Sequence, residues 1–371
     1  MSGTSSTDQN SGLISSSTQT KLSEAGGNSE SAEIAVVIGR FQGLHLGHYQ
    51  LLKTALNTAP QLVVVLGSSF HARSVRNPFT SQERIAMIKA CLTVEEQART
   101  QFVAVRDYYD DQRWAQAVQN EVMARFPQAR RISLIGHFKD ASSYYLRRFP
   151  HWQLIETENS TQFDATAVRR VLFEAENIDI SLSVLESMLA LEVRQFLRAW
   201  CQLPPYAALV GEYKRLQEYK QAWAKAPYPP IFCTVDSVVQ THQHVLLIQR
   251  GGFPGKGLWA LPGGFLDPHE RLQRAAIREL REETRLAVLD STLEAALLDV
   301  KVFDHPDRSQ RGRTITHAFY FDLNMDHFPE IEADDDAAAA KWVPIADLIE
   351  MEDQFFDDHF HILDQFLRLT K

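Results

Sequence analysis

The chain has 371 residues, a formal net charge of −9 at pH 7 and an isoelectric point near 5.8. With 44% hydrophobic and 23% charged residues, it has the composition of a globular protein and is long enough for two domains. The acidic balance argues against a broad basic surface for nucleic acid, and no apolar run approaches the roughly 20 residues that a membrane-spanning helix needs.

The three cysteines are few, widely spaced and odd in number, which argues against a disulfide framework or a zinc cluster. The N-terminus also lacks the apolar segment of a secretory signal. We therefore expect a cytoplasmic protein without a membrane partner. The cysteines are Cys91, Cys201 and Cys233.

Residues 1–32 contain ten Ser and four Thr and almost no apolar residues. A segment of this composition cannot bury enough apolar surface to offset the entropy lost on ordering. The sequence therefore predicts a disordered tail over residues 1–32.

From Glu33, short runs rich in β-branched residues alternate with amphipathic segments. This alternation predicts an α/β domain with a parallel sheet and crossover helices over residues 33–180. The predicted strands lie in "IAVVIG", "QLVVVLGSS", "QFVAVRD", "RRISLIGH" and "WQLIET".

The following segment has a helical pattern from Ser181 to Lys225, and the prolines of "APYPPIF" interrupt it. We predict a helical linker over residues 181–228 and a second, α+β domain over residues 229–371. That domain contains the strand candidates "FCTVDSVVQ" and "HVLLIQR", a Gly/Pro-rich loop, a charged helix, further strands and a closing helix from about Asp357.

The stretch "GRFQGLHLGH" follows the first predicted strand and places His45 and His48 three residues apart where a helix begins. In open α/β sheets, ligands bind beyond the carboxyl ends of the strands, where a helix N-terminus offers N–H groups to phosphate. Imidazole N–H groups can also donate to a phosphoryl oxygen. The alternative is that one histidine caps the helix and the other is a solvated loop residue.

This stretch resembles the H-x-G-H signature of the nucleotidyltransferase superfamily, and later segments resemble nicotinamide mononucleotide (NMN) adenylyltransferases in the same order. The resemblance covers about residues 33–175. It implies a Rossmann-like nucleotidyltransferase domain that joins NMN to ATP, giving NAD and pyrophosphate with Mg²⁺. The later segments are "NPFTSQER", "RDYYDDQRWAQAVQ", "IGHFKDASSYYLRRFP" and "FDATAVRR".

The resemblance implies that His45 and His48 hold the ATP phosphates. It also implies that three cations supply positive charge to the substrates or to the leaving pyrophosphate, and that further residues of the first loop bind substrate. The cations are Arg40, Lys139 and Arg169, and the further loop residues are Gly39, Phe41 and Gly47.

Thr166, near the start of "ATAVRRVLFEAE", would add a hydroxyl donor to the same phosphates. The family motif usually opens there with Ile-Ser, whereas this chain has Phe163, Asp164 and Ala165. Trp114 would stack on the positively charged nicotinamide ring. The alternative for Trp114 is a place in the hydrophobic core.

Glu279, Glu282 and Glu283 stand at i, i+3 and i+4 of the charged helix and therefore share one face. Carboxylates at this spacing repel one another, and a divalent cation with oxygen ligands would reverse that cost. The alternative is a solvated helix face that neighbouring arginines neutralise. Those arginines are Arg274, Arg278 and Arg281.

The order Gly264, five residues, Glu270, seven residues, then "RELREE" resembles the Nudix box of hydrolases that act on linked nucleoside diphosphates. The box normally carries Gly two residues after its last Glu, where this chain has Arg285. If that position ends the helix in a left-handed conformation, a residue other than Gly costs roughly 1–2 kcal/mol.

The resemblance to the Nudix box implies a divalent metal site, with Mg²⁺ or Mn²⁺ as the cofactor. Glu282 and Glu283 would bind the metal, Glu279 would be a further ligand or orient water, and Gly264 would lend a carbonyl. The metals would activate the attacking water. Arg278 and Glu270 would hold helix and loop together.

The segments "FDHPDRSQRGRTITHAFYF" and "GKGLWALPGG" resemble Nudix proteins that handle ADP-ribose. Arg311 or Arg313 would meet the diphosphate or the terminal ribose. The resemblance thus implies hydrolysis of ADP-ribose to AMP and ribose 5-phosphate.

Three functional hypotheses follow. The first is a bifunctional enzyme of NAD metabolism whose partners are ATP, NMN and ADP-ribose, without nucleic acid. The second is a transferase whose Nudix domain only senses nucleotides. The third is an adenylyltransferase for another phosphate acceptor, such as phosphopantetheine or a flavin mononucleotide. The sequence leaves open a homo-oligomer, the general base and communication between the two sites.

Overall fold

The structure is a computed structural model that describes residues 32–137, 141–157 and 164–370. The predicted disordered tail lies outside this range except for Ala32. From Ala32 onwards the chain forms one compact unit that contains two sheets. In this range, no helix combines the length and apolarity needed to span a membrane.

The first sheet is parallel and has the strand order β3-β2-β1-β4-β5. All five strands fall in the runs from which the sequence predicted them, so the α/β prediction is confirmed. The strands are β1 (Ile34–Gly39), β2 (Gln61–Leu66), β3 (Thr100–Ala104), β4 (Ile132–Gly136) and β5 (Gln153–Glu156).

Helices cover both faces of this sheet because successive side chains of each strand point to opposite sides. Ala35 and Val37 face one core, and Val36 and Ile38 face the other. The elements between the strands and after β5 are α1 (Leu46–Thr58), α2 (Ser81–Ala90), α3 (Val94–Ala98), α4 (Asp111–Arg125), a 3-10 helix (Ala141–Arg148) and α5 (Ala165–Phe173).

Three helices follow α5, in the region of the predicted helical linker. Their apolar side chains join the core that also holds Ala35 and Val37, through residues such as Leu182, Leu197 and Leu209. These helices therefore stabilise the first sheet in addition to connecting the two domains. The helices are α6 (Ile178–Val184), α7 (Leu191–Trp200) and α8 (Pro204–Trp223).

The second sheet is mixed and has the main strand order β10-β11-β6-β7-β12, with β8 paired to β7 and β9 paired to β6. Helix α9 packs on one face and α11 on the other, which confirms the α+β prediction. The strands are β6 (Ile231–Thr241), β7 (His244–Arg250), β8 (Trp259–Ala260), β9 (Gly263–Phe265), β10 (Leu297–Phe303), β11 (Arg313–Asp322) and β12 (Ala337–Pro344). The helices are α9 (Leu272–Thr284), α10 (Asp290–Ala296), a 3-10 helix (Ile345–Gln354) and α11 (His359–Leu367).

Charged and polar contacts join the two halves of the chain. The Tyr109 hydroxyl donates to Asp358 Oδ2 at 2.8 Å, and Arg113 pairs with Asp364, also at 2.8 Å. Arg106 donates to the buried Glu352. These contacts fix the second sheet against the edge of the first sheet at which the functional loops lie.

Candidate active sites

The loop between β1 and α1 lies at the switch point of the parallel sheet. Strands β2 and β4 flank β1 on its two sides, so the connections diverge there and leave a crevice beyond the strand ends. Residues 40–45 form this loop, and Gly43 adopts a φ of +108°, which favours glycine. The predicted first loop therefore lies where open α/β sheets bind ligands.

His45 and His48 form a reciprocal cap at the N-terminus of α1. The Nδ1 atom of each ring accepts the backbone N–H of the other residue at 3.4 Å. The rings stack with their centroids 3.8 Å apart. In the neutral imidazole, an accepting Nδ1 leaves the proton on Nε2, so each ring is an Nε2–H donor. The capping alternative and the phosphate-binding hypothesis are thus compatible.

Two buried arginines fix the carbonyl groups of this loop. Arg84 donates to the carbonyls of Arg40 and Gly67, both at 2.7 Å, and Arg169 donates to the carbonyl of Gln42 at 2.7 Å. Burial is the main cause that lowers the pKa of each arginine to about 10, so both stay protonated at neutral pH.

Thr166 lies in the first turn of α5, beside Arg169. Asp164 caps that helix by accepting the backbone N–H of Thr166 at 3.0 Å, which explains how Asp replaces the Ser of the family motif. The Thr166 hydroxyl oxygen accepts from Arg169 Nη2 at 3.1 Å. The hydroxyl therefore keeps its own proton to donate.

The remaining predicted residues of this site have distinct positions. Phe41 is buried with a φ of 51°, and its ring lies 3.0 Å from the place that a Cβ at Gly39 would take. Gly47 lies in the first turn of α1. Trp114 is half-buried and makes an edge contact with Tyr145 at 5.6 Å. Lys139 lies outside the described residues.

One large cavity, of about 1160 Å³, contains this loop. Arg40, His45, His48, Trp114, Thr166 and Arg169 all line it. Its wall also includes residues of the second sheet's domain, among them Asp307 and Arg308. The cavity is therefore bounded by both halves of the chain.

The second predicted site surrounds α9. A Cβ at Gly264 would lie 2.4 Å from Glu279 Oε1, so in this arrangement the glycine lets the β9 backbone approach the carboxylate closely. Glu279 and Glu283 are largely buried, whereas Glu282 is exposed. The structure thus brings Gly264 and the largely buried Glu279 together.

Arg278 holds the charged residues of the box together. Its Nη2 donates to Glu270 at 2.9 Å and to the Phe265 carbonyl at 3.2 Å, which confirms the predicted bond between helix and loop. Its Nη1 donates to Glu279 at 2.9 Å and to Glu282 at 2.8 Å. In the described part of the chain, no three side chains of His, Cys, Asp or Glu form a metal-binding group. Two of the predicted metal ligands, Glu279 and Glu282, are thus bound to Arg278 in this structure.

Glu283 is the most perturbed carboxyl of the box. Burial raises its pKa to about 10, and a hydrogen bond that the protonated Glu283 donates to the neighbouring Asp336 adds to this shift, although the Gly263 N–H donates to Glu283 at 2.8 Å. Burial also raises the pKa of Glu279. Clustered buried carboxylates with raised pKa values are a donor set that suits a hard divalent cation.

Helix α9 ends at Arg285, which takes the left-handed conformation with a φ of 45°. The helix therefore does end in a left-handed conformation at the position where the Nudix box normally has Gly, and this conformation is strained for arginine. Its side chain bonds Asp334 at 2.8 Å and Glu332 at 3.0 Å. These ion pairs tie the end of the helix to the loop that carries Asp336.

Arg311 and Arg313 have different surroundings. The Arg311 guanidinium lies 4.9 Å from the centre of the Phe265 ring, and its buried Nε has no hydrogen-bond partner among the described residues. Arg313 donates to the backbone carbonyl of Asp304 and closes the base of the loop between β10 and β11. Arg311 is therefore the better placed of the two for a ligand.

Sequence reasoning assigned no role to three residues that shape these sites. Arg84 lies within the quoted segment "NPFTSQER", and Arg76 directly precedes it. Asp336 ends the run Asp334 to Asp336, whose concentration of acidic residues was the available signal. The contacts of Arg76 span 231 residues of sequence, and no local pattern predicts them.

Comparisons with known proteins match the two halves of the chain to two different families. Residues 36–171 match the cytidylyltransferase-like family model, and residues 231–366 match the NUDIX domain model. A nicotinamide/nicotinic acid mononucleotide adenylyltransferase of Acinetobacter baylyi is 37% identical over 180 residues, covering 48% of this chain and 92% of that protein. An ADP-ribose pyrophosphatase of Methanocaldococcus jannaschii is 33% identical over 134 residues, covering 36% of this chain and 72% of that protein.

A solved structure matches nearly the whole chain. It is a bifunctional NMN adenylyltransferase/ADP ribose pyrophosphatase from Francisella tularensis in complex with AMP and a Mn ion. Its sequence is 34% identical, and the match covers 91% of this chain and 99% of that chain with a TM-score of 0.84.

Proposed function

We propose a two-reaction function for this chain, which belongs to the family of bifunctional NMN adenylyltransferase/ADP-ribose pyrophosphatases. It transfers AMP from ATP to NMN, giving NAD and pyrophosphate, and it hydrolyses ADP-ribose to AMP and ribose 5-phosphate. The observation that carries the proposal is that one chain holds both the capped histidine pair and the Gly264 and Glu279 contact of the Nudix box.

In adenylyl transfer, an oxygen of the NMN phosphate attacks the α-phosphorus of ATP, and pyrophosphate leaves. The attacking oxygen is already anionic, so the chain needs no general base and contributes position and charge. His45 and His48 donate from Nε2 to phosphate oxygens at the N-terminus of α1. Arg40, Thr166, Arg169 and, by resemblance, Lys139 bind the substrates or the pyrophosphate.

The aromatic wall of the cleft supports a place for the nicotinamide ring. Trp114 lines the cavity and also makes an edge contact with Tyr145. A pyridinium ring over the indole face would gain a cation–π contact. Phe41, with Gly39 and Gly47, shapes the loop so that the nucleotide approaches the backbone.

In hydrolysis, water attacks the diphosphate of ADP-ribose, and AMP and ribose 5-phosphate separate. Arg311 supports diphosphate binding because its buried Nε–H has no acceptor among the described residues. Arg313 would act on the same ligand by holding the loop that carries Arg311. Glu279 of the box and the neighbouring Asp336 are the carboxyls that would orient the attacking water.

The Nudix residues fit a divalent metal ion by donor chemistry, with three carboxylates and the Gly264 carbonyl within one box. Glu279, Glu282 and Glu283 would hold the ion. The hydrogen bonds from Arg278 to Glu279 and Glu282 would break when the ion binds. When bound, the ion neutralises diphosphate charge and lowers the pKa of water. We propose Mg²⁺ as the usual ion, with Mn²⁺ as an alternative.

We propose two catalytic domains, at residues 33–180 and 229–371, with the helices of residues 181–228 between them. Free Cys91, Cys201 and Cys233 support work in the reducing cytoplasm. The proposed partners are the small substrates ATP, NMN and ADP-ribose, without nucleic acid or membrane, and a homo-oligomer is an open alternative.

The test is to incubate the purified full chain with Mg²⁺ and ADP-ribose, and separately with Mg²⁺, ATP and NMN, and to resolve the products by chromatography. We expect AMP with ribose 5-phosphate in the first mixture and NAD with pyrophosphate in the second. Glu282→Gln should lose the first reaction and keep the second. Bound but intact ADP-ribose would make the Nudix domain a sensor, and pyrophosphate release only with phosphopantetheine or flavin mononucleotide would change the acceptor.

A further inference from the structure

The loop between β10 and β11 of the Nudix domain reaches the adenylyltransferase cleft. Asp307 and Gln310 of this loop line the same cavity as Arg40 and His48. The wall of the transferase site is therefore built in part by the hydrolase domain.

This loop holds Arg76, which also lines the cavity. Arg76 Nη2 donates to Asp307 Oδ2 at 2.6 Å, and its Nη1 donates to the Asp307 carbonyl at 2.9 Å. The backbone N–H of Arg76 donates to Gln310 Oε1 at 3.2 Å. The guanidinium of the first domain is thus bound by a carboxylate of the second.

The partner of Arg76 is more exposed than those of Arg73 and Arg308, which also line the cavity and pair with Glu83 and Asp358 at 18% and 4% side-chain exposure. Arg84 and Arg169 donate mainly to carbonyl and hydroxyl oxygens that belong to the fold. The partner of Arg76 is an anion on an exposed side chain, and 59% of the Asp307 side chain is accessible. An incoming polyphosphate can replace an exposed carboxylate more readily than a buried carbonyl.

Positively charged groups surround the Asp307 carboxylate, as they would surround a bound anion. Burial alone would raise the pKa of this carboxyl, but the hydrogen bond and charge of Arg76 outweigh it, and His305 and Arg40 act in the same direction. The pKa of Asp307 therefore lies below its ordinary value, and the group is ionised at neutral pH. It is a fixed negative charge beside the cations that face the cavity.

We infer that Asp307 is an internal counter-ion of the adenylyltransferase cleft, whose carboxylate occupies Arg76 until the polyphosphate of ATP replaces it. The Nudix domain thereby sets the affinity of the other domain for its nucleotide. This inference rests on the proposed adenylyltransferase function for the identity of the nucleotide. Asp307 acts through Arg76 and is a positioning residue.

The size of the effect follows from the exposure of the pair. Exposed ion pairs change free energies by up to about 1 kcal/mol, which corresponds to about a fivefold change in affinity. We therefore expect Asp307→Asn to bind ATP about two- to fivefold more tightly than the natural chain. The difference should shrink as salt rises, because salt screens exposed charges.

The experiment measures the Kd of ATP by titration calorimetry on the full chain, and the KM for ATP in NAD formation, for the natural chain and Asp307→Asn. Asp304→Asn is the matched control, since it removes the same charge from the same exposed loop and Arg76 bonds Asp307 instead. Adenosine is the control ligand, because it lacks the phosphates. We expect lower Kd and KM for ATP in Asp307→Asn alone, with kcat and ADP-ribose hydrolysis unchanged.

Unchanged or weaker ATP binding in Asp307→Asn would overturn the inference, and so would an equal gain in Asp304→Asn or an equal gain for adenosine. The proposed function fails in a different way, since the natural chain would then form no NAD from ATP and NMN. Tighter ATP binding in Asp307→Asn without NAD formation would keep the counter-ion and remove the proposed reaction.

Discussion

His45 and His48 each accept the other's backbone N–H through Nδ1, so that one pair of rings both ends the loop and begins α1. This exchange determines the tautomer of both rings in their neutral form, with the proton on Nε2. Capping and phosphate binding therefore use different nitrogen atoms of the same side chain.

We predict that His48→Ala lowers NAD formation by about 100-fold or more, since a preorganised donor to developing charge is worth that much. ADP-ribose hydrolysis should be unchanged, because its residues belong to the other domain. The measurement is kcat for both reactions. Thr93→Ala is the control, because Thr93 caps α3 in the same domain through a similar reciprocal pair. Thr93→Ala should cost about 1 kcal/mol of stability and leave both rates intact. An equal loss of NAD formation in Thr93→Ala would mean that His48 acts only as a helix cap.

A second prediction concerns Gly264. Gly264→Ala would place a Cβ 2.4 Å from Glu279 Oε1, so the carboxylate must move. We expect at least a tenfold loss of ADP-ribose hydrolysis with NAD formation retained. Gly252→Ala is the matched control on a nearby loop, where a Cβ meets no atom within 4 Å. Full hydrolysis by Gly264→Ala would show that the close approach has no part in the reaction.

The strands and the main functional motifs were predictable because their signals are local. The run "IAVVIG" is β-branched and apolar, and it forms β1. Likewise the helical spacing of Glu279 and Glu283 already placed them on α9. The contacts of Arg76 with Asp307, and of the Gly263 N–H with Glu283, depend on how segments that are distant in sequence pack. Hydrophobic periodicity and residue propensities do not predict such pairs, so these electrostatic contacts are evident only in the folded structure.

Arg285 gives a prediction about stability. Arg285→Gly and Arg285→Ala both remove the ion pairs with Asp334 and Glu332, but only glycine adopts a φ of 45° without strain. We expect Arg285→Gly to be more stable than Arg285→Ala by roughly 1 kcal/mol in the free energy of unfolding. Urea denaturation followed on the Nudix domain measures this difference. Equal stability of the two variants would mean that the helix end relaxes out of the left-handed conformation.

Glu352 gives a prediction about pH. Burial raises its pKa to about 7, although the bond from Arg106 opposes the shift, and its Oε1 has no hydrogen-bond partner among the described residues. The folded chain therefore holds a proton that the unfolded chain releases near 4.5. Stability should fall as pH rises between these two values, and above about 7 the loss is complete.

Glu352→Gln mimics the protonated group at every pH. We expect its melting temperature to match that of the natural chain at about pH 5 and to exceed it at about pH 8. Thermal denaturation of both chains across this range tests the sign. A constant difference between the two melting curves would place the titration of Glu352 outside this range.

The ion pair between Arg308 and Asp358 is almost wholly buried, and Tyr109 of the other domain donates to it. In evolutionary terms, separating the two halves into independent chains would carry a cost in stability. A chain cut between residues 223 and 231 would give a Nudix half that has lost a hydrogen-bond donor to a buried charge. Separate genes for the two activities would need compensating substitutions at this surface before either product could be as stable as the fused chain.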